Sequence, residues 1–283
     1  MIGKAIKYHG KILLFGEYTV VMGGSSLAMP LDRFSASWTY NEKVDSQLIA
    51  LGEHLQHIPV NFKYHMFREA IHKGLNFQSD IPQGYGCGSS GALIAAIYGD
   101  FCEHAQSISL KDLQFTLGMM ESFFHGKSSG IDPLVIYLNK VISTQKGKAK
   151  IIEVSAKTIM QNWYLLDSGI SRFTSHLFNE FKHRLNIDAV YKRNVTQIQD
   201  LNDTIINQLC TNQNLDLTLA IRELSQKQLT CFSEFIPEHV FNIWKYGLES
   251  KEYAVKLCGA GGGGYFLVYG KIKDVETISL SGI

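Results

Sequence analysis

The chain has 283 residues, 45% of them hydrophobic and 19% charged, enough for one large or two medium domains of globular type. A formal net charge of +1 gives no reason to expect a nucleic-acid or strongly acidic partner. No apolar run approaches a membrane span, and the first eleven residues lack the apolar core of a secretion signal.

Taken in chain order, residues 11–15 read as a strand, and residues 18–22 as a strand or helix start after the Gly16-Glu17 turn. Residues 35–40 alternate polar and apolar positions like a strand. Residues 61–73 read as a helix. Residues 89–104 form a strong helix with two serines at its start and small residues, Ala92, Ala95 and Ala96, that permit close packing. Residues 110–124 form a second helix with Leu113, Leu117, Met120 and Phe124 on one face. Residues 135–143 and 150–154 read as strands. The polar stretch Gln145-Lys146-Gly147-Lys148 marks the boundary between an N-terminal domain, 1–150, and a C-terminal domain, 151–283. Beyond it come a short strand, 163–166, and helices over 173–185, 190–209, 215–232 and 237–247, Pro237 suiting a first turn. A strand at 265–269 follows. The class is α+β, with strands gathered in the first half and helices in the second. The amphipathic helix over 215–232 packs within the chain or forms a homodimer contact.

Five cysteines, Cys87, Cys102, Cys210, Cys231 and Cys258, are widely spaced with no C-x-x-C pair. They point to free thiols in a reducing cytoplasm and away from structural zinc. His54, His57 and His65 read as surface histidines, since no Cys or carboxylate arrangement makes them a metal cluster.

Three glycine-punctuated segments stand out. The middle one is Pro82-Gln83-Gly84-Tyr85-Gly86-Cys87-Gly88-Ser89-Ser90-Gly91-Ala92. Alternating glycines let backbone approach an anion closely, and the helix start behind them offers unpaired N–H groups and a positive dipole end. The Ser89 and Ser90 hydroxyls suit phosphate or a phosphate-bound Mg²⁺. No Lys-Ser/Thr pair follows, so this is not a Walker A loop. The blander reading is a flexible loop whose serines cap a helix. In the first segment, Gly10-Lys11-Ile12-Leu13-Leu14-Phe15-Gly16-Glu17-Tyr18, Lys11 either projects into a cleft or is merely solvated. The last, Lys256-Leu257-Cys258-Gly259-Ala260-Gly261-Gly262-Gly263-Gly264, is a functional loop or a tight helix-to-strand turn. Between them, Glu121 ends a helix. Asp132 lies in a Gly/Ser/Pro-bounded loop, where it acts as a base, binds metal or caps the turn. A phosphate cradle, an acid to orient or deprotonate an alcohol, metal-binding oxygens and a cation are the parts phosphoryl transfer needs.

In order and separation, the three segments resemble the three motifs of the GHMP kinases, the family of galactokinase, homoserine kinase, mevalonate kinase and phosphomevalonate kinase. The resemblance runs from Lys11 to Gly264. The middle segment is close to the family's P-x-G-x-G-x-G-S-S pattern. His125-Gly126-Lys127-Ser128-Ser129-Gly130-Ile131-Asp132 is similar to the H-G-x-x-S-G-x-D motif of the mevalonate kinase branch. The resemblance implies a two-domain GHMP-kinase fold with the active site in the cleft between the domains, using ATP and Mg²⁺. It implies Asp132 and Lys11 as catalytic residues, and Gly84, Tyr85, Gly86, Cys87, Gly88, Ser89 and Ser90 as the ATP phosphate loop. Ser90 and Glu121 become Mg²⁺ ligands. Glu17, Tyr18, Arg172, Thr174, Gly259, Ala260 and Gly261 become neighbours of the acceptor. The expected reaction is transfer of the γ-phosphoryl of ATP to the 5-hydroxyl of mevalonate. Gly16-Glu17-Tyr18 departs from the G-E-H usual in mevalonate kinases and is more like phosphomevalonate kinases, and residues 5–11 echo diphosphomevalonate decarboxylases. Phosphomevalonate, a sugar or an amino-alcohol therefore stand as alternative acceptors. A non-catalytic metabolite sensor of the same fold is the rival from another class.

Overall fold

A computed structural model describes residues 6–103, 108–171, 174–211 and 217–280. They divide into two compact units, each assembled from separated stretches of chain. The first comprises the residues through Lys11, Pro30–Pro82 and Cys87–Lys140; the second comprises Ile12–Met29, Gln83–Gly86 and the described residues from Val141 onward. Strand β1 (Tyr8–Phe15) and strand β2 (Ser26–Tyr40) each run through a point where the chain changes unit.

In the first unit the far end of β2 pairs antiparallel with β3 (Leu75–Ser79), Ala36 opposite Ser79 and Tyr40 opposite Leu75. Helix α1 (Ser46–Leu55) begins where the Asp45 carboxylate accepts the N–H groups of Gln47 and Leu48. Helix α2 (Tyr64–His72) supplies Phe67, which packs with Trp38 and Phe101 in an aromatic core. Helix α3 (Ser89–Phe101) is the central one, with nine of its thirteen residues buried. Such a helix is apolar nearly all round because it has neighbours nearly all round. At its far end Asp100 accepts from Tyr8 Oη at 2.9 Å and Trp38 Nε1 at 2.8 Å, which ties the helix to both strands. It stops at Phe101, short of the expected 104, because Cys102 turns extended and bridges to Phe62.

Helix α4 (Leu110–His125) starts from Ser109, whose hydroxyl accepts the Asp112 N–H. It ends at Gly126, at φ 68°. Helix α5 (Ile131–Leu138) corrects two expectations. Residues 135–138 are helical, and strand β4 begins only at Val141 (Val141–Gln145). Asp132 stands in the first turn of a helix and not in a loop. The apolar run from Pro133 to Leu138 fits a buried helix as well as a buried strand, and Pro133 falls where a first-turn N–H is not needed.

In the second unit Ser26–Ala28 of β2 pairs with β4, which pairs with β5 (Lys148–Ile152). After the short helix α6 (Ala156–Ile159) comes β6 (Trp163–Asp167). The helices are α7 (Thr174–Ile187), α8 (Ala189–Cys210), α9 (Leu217–Cys231) and α10 (Glu238–Ser250). Strands β7 (Ala254–Leu257), β8 (Tyr265–Tyr269) and β9 (Ile278–Ser279) join β6 in an antiparallel sheet ordered β7-β8-β6-β9. Beyond β5 the chain is mainly helical, as the sequence pattern indicates, and the four short strands β6–β9 supply the sheet on which those helices pack. Residues 18–22 form a 3-10 turn, Thr19–Met22. The buried face of α9 packs within the unit: the Ser225 hydroxyl accepts from Trp244 Nε1 at 2.7 Å and donates to the Val255 carbonyl at 2.6 Å. Among the described residues no helix is long and apolar enough to cross a membrane.

Gly130 caps α5 at φ +71°, and a Cβ there would overlap the carbonyl oxygen of Gln114 on α4. Gly147 has nearly the same φ, +75°, with open space where its Cβ would stand. Gly147→Ala should cost only the dihedral penalty, about 1 kcal/mol, and Gly130→Ala at least about 2 kcal/mol. Urea unfolding of the two variants measures the difference; equal midpoints would show that the approach of α4 to Gly130 is not tight.

Candidate active site

In the first unit, four of the expected site residues converge on the start of α3. Lys11, near the start of β1, donates its backbone N–H to Cys87 O at 2.9 Å, so strand and glycine segment are pinned together. Its ammonium lies 2.9 Å from Asp132 Oδ2. Lys11 is buried, whereas 38% of the Asp132 side chain stays open to solvent. Gly88 makes the arrangement possible: at φ +81°, a Cβ there would sit 2.8 Å from Lys11 Cγ and 3.1 Å from Ile136 Cδ1. Gly91 lets α3 and α5 meet, since a Cβ on it would come within 3.2 Å of Asp132 Cβ. Asp132 thus stands beside the first turn of α3, near the positive end of its own helix α5.

Glu121 projects from the last turns of α4 and is buried. Ser90 Oγ donates to its Oε1 at 3.1 Å, and Ser128 Oγ to its Oε2 at 2.5 Å. Burial first, and the charge of Asp132 second, push the Glu121 carboxyl up to about 7, against the pull of Ser128, Ser90 and Lys11. Two carboxylates crowd beside one ammonium, so that with no further cation Glu121 is biased toward its protonated form. A hydroxyl and a carboxylate oxygen side by side are also the hard donors Mg²⁺ takes when phosphate oxygens and waters complete its shell. The residues therefore fit a divalent cation at Ser90 and Glu121. Ser89 and Ser90 open α3 half-buried, and the residue at its N-cap is Gly88, which carries no side chain to compete for the start of the helix.

The second unit holds the rest of the glycine segments. Gly84 is exposed, and Tyr85 and Gly86 are half-buried. The Tyr85 ring meets Tyr265 edge-on at 4.9 Å, and a Cβ on Gly264 would lie 3.0 Å from Tyr85 Cα. Glu17 and Tyr18 bind the other end of the last segment. Lys256 Nζ lies 2.5 Å from Glu17 Oε1 and 2.6 Å from the Leu257 carbonyl, with both charged side chains wholly buried. Burial raises the Glu17 carboxyl above its ordinary range, against the opposing pull of Lys256. Tyr18 Oη donates to Ala260 O at 2.5 Å, and its ring packs on Phe181, Phe232 and Phe235. Tyr18 reaches this position at φ 63°, a strained conformation for so bulky a residue. Gly259 and Ala260 are half-buried and Gly261 is buried. Arg172 lies outside the described residues; Thr174 is the first residue of α7. Lys256 was not singled out from the sequence, although a lysine inside the otherwise apolar Ala254–Leu257 run was the available signal. The Ser128 contact had no such signal. Among the described residues no cluster of His, Cys, Asp and Glu forms a metal site, His54, His57 and His65 included.

Residues 53–140 match the family described as GHMP kinases N terminal domain. The Methanococcus jannaschii mevalonate kinase superposes with a TM-score of 0.64 at 19% identity, over 96% of this chain and 92% of that one. The fold is that of the GHMP kinases. At the level of sequence the chain is similar to the mevalonate kinase of Thermococcus sibiricus, 24% identical over 94% of this chain and 90% of that protein. It is similar also to the mevalonate kinase of Archaeoglobus fulgidus, 25% identical over 93% and 90%. Within this GHMP-kinase fold the Lys11–Asp132 pair and the Ser90–Glu121 pair are assembled from β1, α3, α4 and α5.

Removing one partner of a buried pair strands the other charge. Glu17→Ala should cost about 3–5 kcal/mol, read as a lower urea midpoint. The double variant Glu17→Leu/Lys256→Met should unfold at a higher midpoint than Glu17→Ala alone. A double variant no more stable than the single one would mean that the pair does more than satisfy itself.

Proposed function

We propose that this protein is an ATP-dependent kinase that transfers the γ-phosphoryl group to the 5-hydroxyl of mevalonate. The observation that carries the reading is the Lys11–Asp132 contact at 2.9 Å, set beside buried Glu121 and the opening turn of α3. Asp132 accepts the proton of the acceptor hydroxyl, or orients that hydroxyl, as its oxygen attacks the γ-phosphorus. The bond to the β–γ bridging oxygen breaks, and ADP leaves. Lys11 holds the Asp132 carboxylate in place and offsets charge gathering on the transferred group. The start of α3 and the loop before it hold the phosphates through backbone N–H groups. Mg²⁺ bound at Ser90 and Glu121 supplies charge neutralisation to the phosphates. Most of the rate comes from positioning and electrostatics, since phosphoryl transfer leaves little covalent work for side chains.

Mevalonate as acceptor is supported by the curated relatives, which match nearly the whole chain and are mevalonate kinases. Lys11, Ser90, Glu121 and Asp132 sit in working contact, which a metabolite sensor has no need to keep. Five free thiols suit a reducing cytoplasm.

A coupled ADP-release assay across mevalonate, phosphomevalonate, homoserine and sugars tests the reading. Mevalonate should give the highest kcat/KM; preference for phosphomevalonate would reassign the acceptor, and no turnover with any of them would sink the kinase reading. Asp132→Asn should fold normally and lose about a hundredfold to ten-thousandfold in kcat. Near-parent turnover in that variant would remove Asp132 from the chemistry.

A further inference from the structure

We infer that Ser128 is a positioning residue that fixes the Glu121 carboxylate against the start of α5, leaving Oε1 turned toward Ser90 for the divalent cation. The inference rests on the kinase reading and adds to it a residue outside the set that motif resemblance assigns. Ser128 lies in the short turn between α4, which carries Glu121, and α5, which carries Asp132. Its hydroxyl has one proton to give and lone pairs to receive. The proton goes to Glu121 Oε2, at 2.5 Å. A lone pair takes the backbone N–H of Gly130 at 3.0 Å. Gly130 is the residue that caps α5, two positions before Asp132.

One hydroxyl therefore joins the carboxylate of one helix to the cap of the next. The two oxygens of Glu121 have different partners: Oε2 is held by Ser128, and Oε1 meets Ser90 in a longer bond of 3.1 Å. The terminal torsion of a glutamate is broad and roughly two-fold, so it needs an outside partner to choose one orientation. Ser128 makes that choice. Removing a group that orients a metal ligand in this way typically costs about ten- to a hundredfold in metal affinity or activity. Gly118 supports the geometry, since a Cβ there would lie 3.2 Å from both the Ser128 carbonyl oxygen and the Gly130 nitrogen. The turn is thereby seated against α4.

The test is a Mn²⁺ titration followed by electron paramagnetic resonance on the full chain with a non-hydrolysable ATP analogue. The variants are Ser128→Ala, Ser128→Cys and Ser128→Thr, with thermal unfolding recorded alongside. Ser128→Ala should weaken Mn²⁺ binding by about tenfold or more, and lower kcat while leaving the acceptor KM near its parent value. Ser128→Cys, which keeps the size with a poorer donor, should weaken binding in the same direction and stands in if the alanine variant does not fold. Ser128→Thr, which keeps the hydroxyl, should return most of the affinity. Parent-like affinity in the alanine or cysteine variant overturns the inference. So does a threonine variant as weak as alanine, or a parent protein that binds no Mn²⁺ at this site. Turnover of mevalonate is scored separately: a parent that releases no ADP but shows Ser128-dependent Mn²⁺ binding keeps this inference and sinks the mevalonate reading.

Discussion

The first unit is organised around one buried cation. Lys11 is fixed by its backbone to Cys87, by its aliphatic stem against Gly88 and by its ammonium to Asp132. A buried ammonium is tolerated only with a partner in place. That requirement dictates the rest: glycine at 88 because the lysine stem passes there, glycine at 91 because α5 must come close, and glycine at 130 because α5 must begin against α4. Glu121 adds a second carboxylate that Lys11 cannot also neutralise. The crowding of these two carboxylates is what the proposed divalent cation would relieve.

The second unit treats the first and last glycine segments in the same manner, by making one depend on the other. Glu17 meets Lys256 at the foot of the last segment, and the next residue, Tyr18, meets Ala260 within it. The backbone strain at Tyr18 has its reason here. The ring is held by three phenylalanines while the hydroxyl is aimed at a carbonyl in a glycine-rich loop. Flexible glycine backbone is given a fixed shape by its neighbours and not by its own propensity.

Much of this was legible in the chain itself. The glycine spacing of the middle segment locates the start of α3, and the Gly/Ser/Pro context of Asp132 makes it a candidate beside the plainer reading of a turn cap. Lys11 was legible only in combination, because a lone lysine beside an apolar strand has no signature of its own. The conformation after Asp132 differs from the expected strand because the short apolar run Pro133–Leu138 serves a buried helix as well as a strand. Tyr18 and Glu17 were read as neighbours of an acceptor. The structure places both in buried contacts that no local pattern encodes, since their partners lie about 240 residues away. Ser128 was invisible for a different reason: its meaning comes from the direction of one hydroxyl, which spacing does not carry.

The assembly of the second unit from Ile12–Met29 and the described residues beyond Val141 also bears on how the protein is made. Synthesis runs from the N-terminus at roughly 5–20 residues per second, so Glu17 precedes Lys256 out of the ribosome by on the order of ten to fifty seconds. The first unit has all its segments once Lys140 has emerged. Through the remaining interval Ile12, Leu14 and Phe15, all buried in the finished fold, have no complete core to enter. A nascent chain of this design carries an apolar, strand-forming segment near its beginning that must be kept from wrong partners until nearly the last strand is made. How long that segment waits for its partners is thus set by the order of the segments along the chain, quite apart from the stability of the completed molecule.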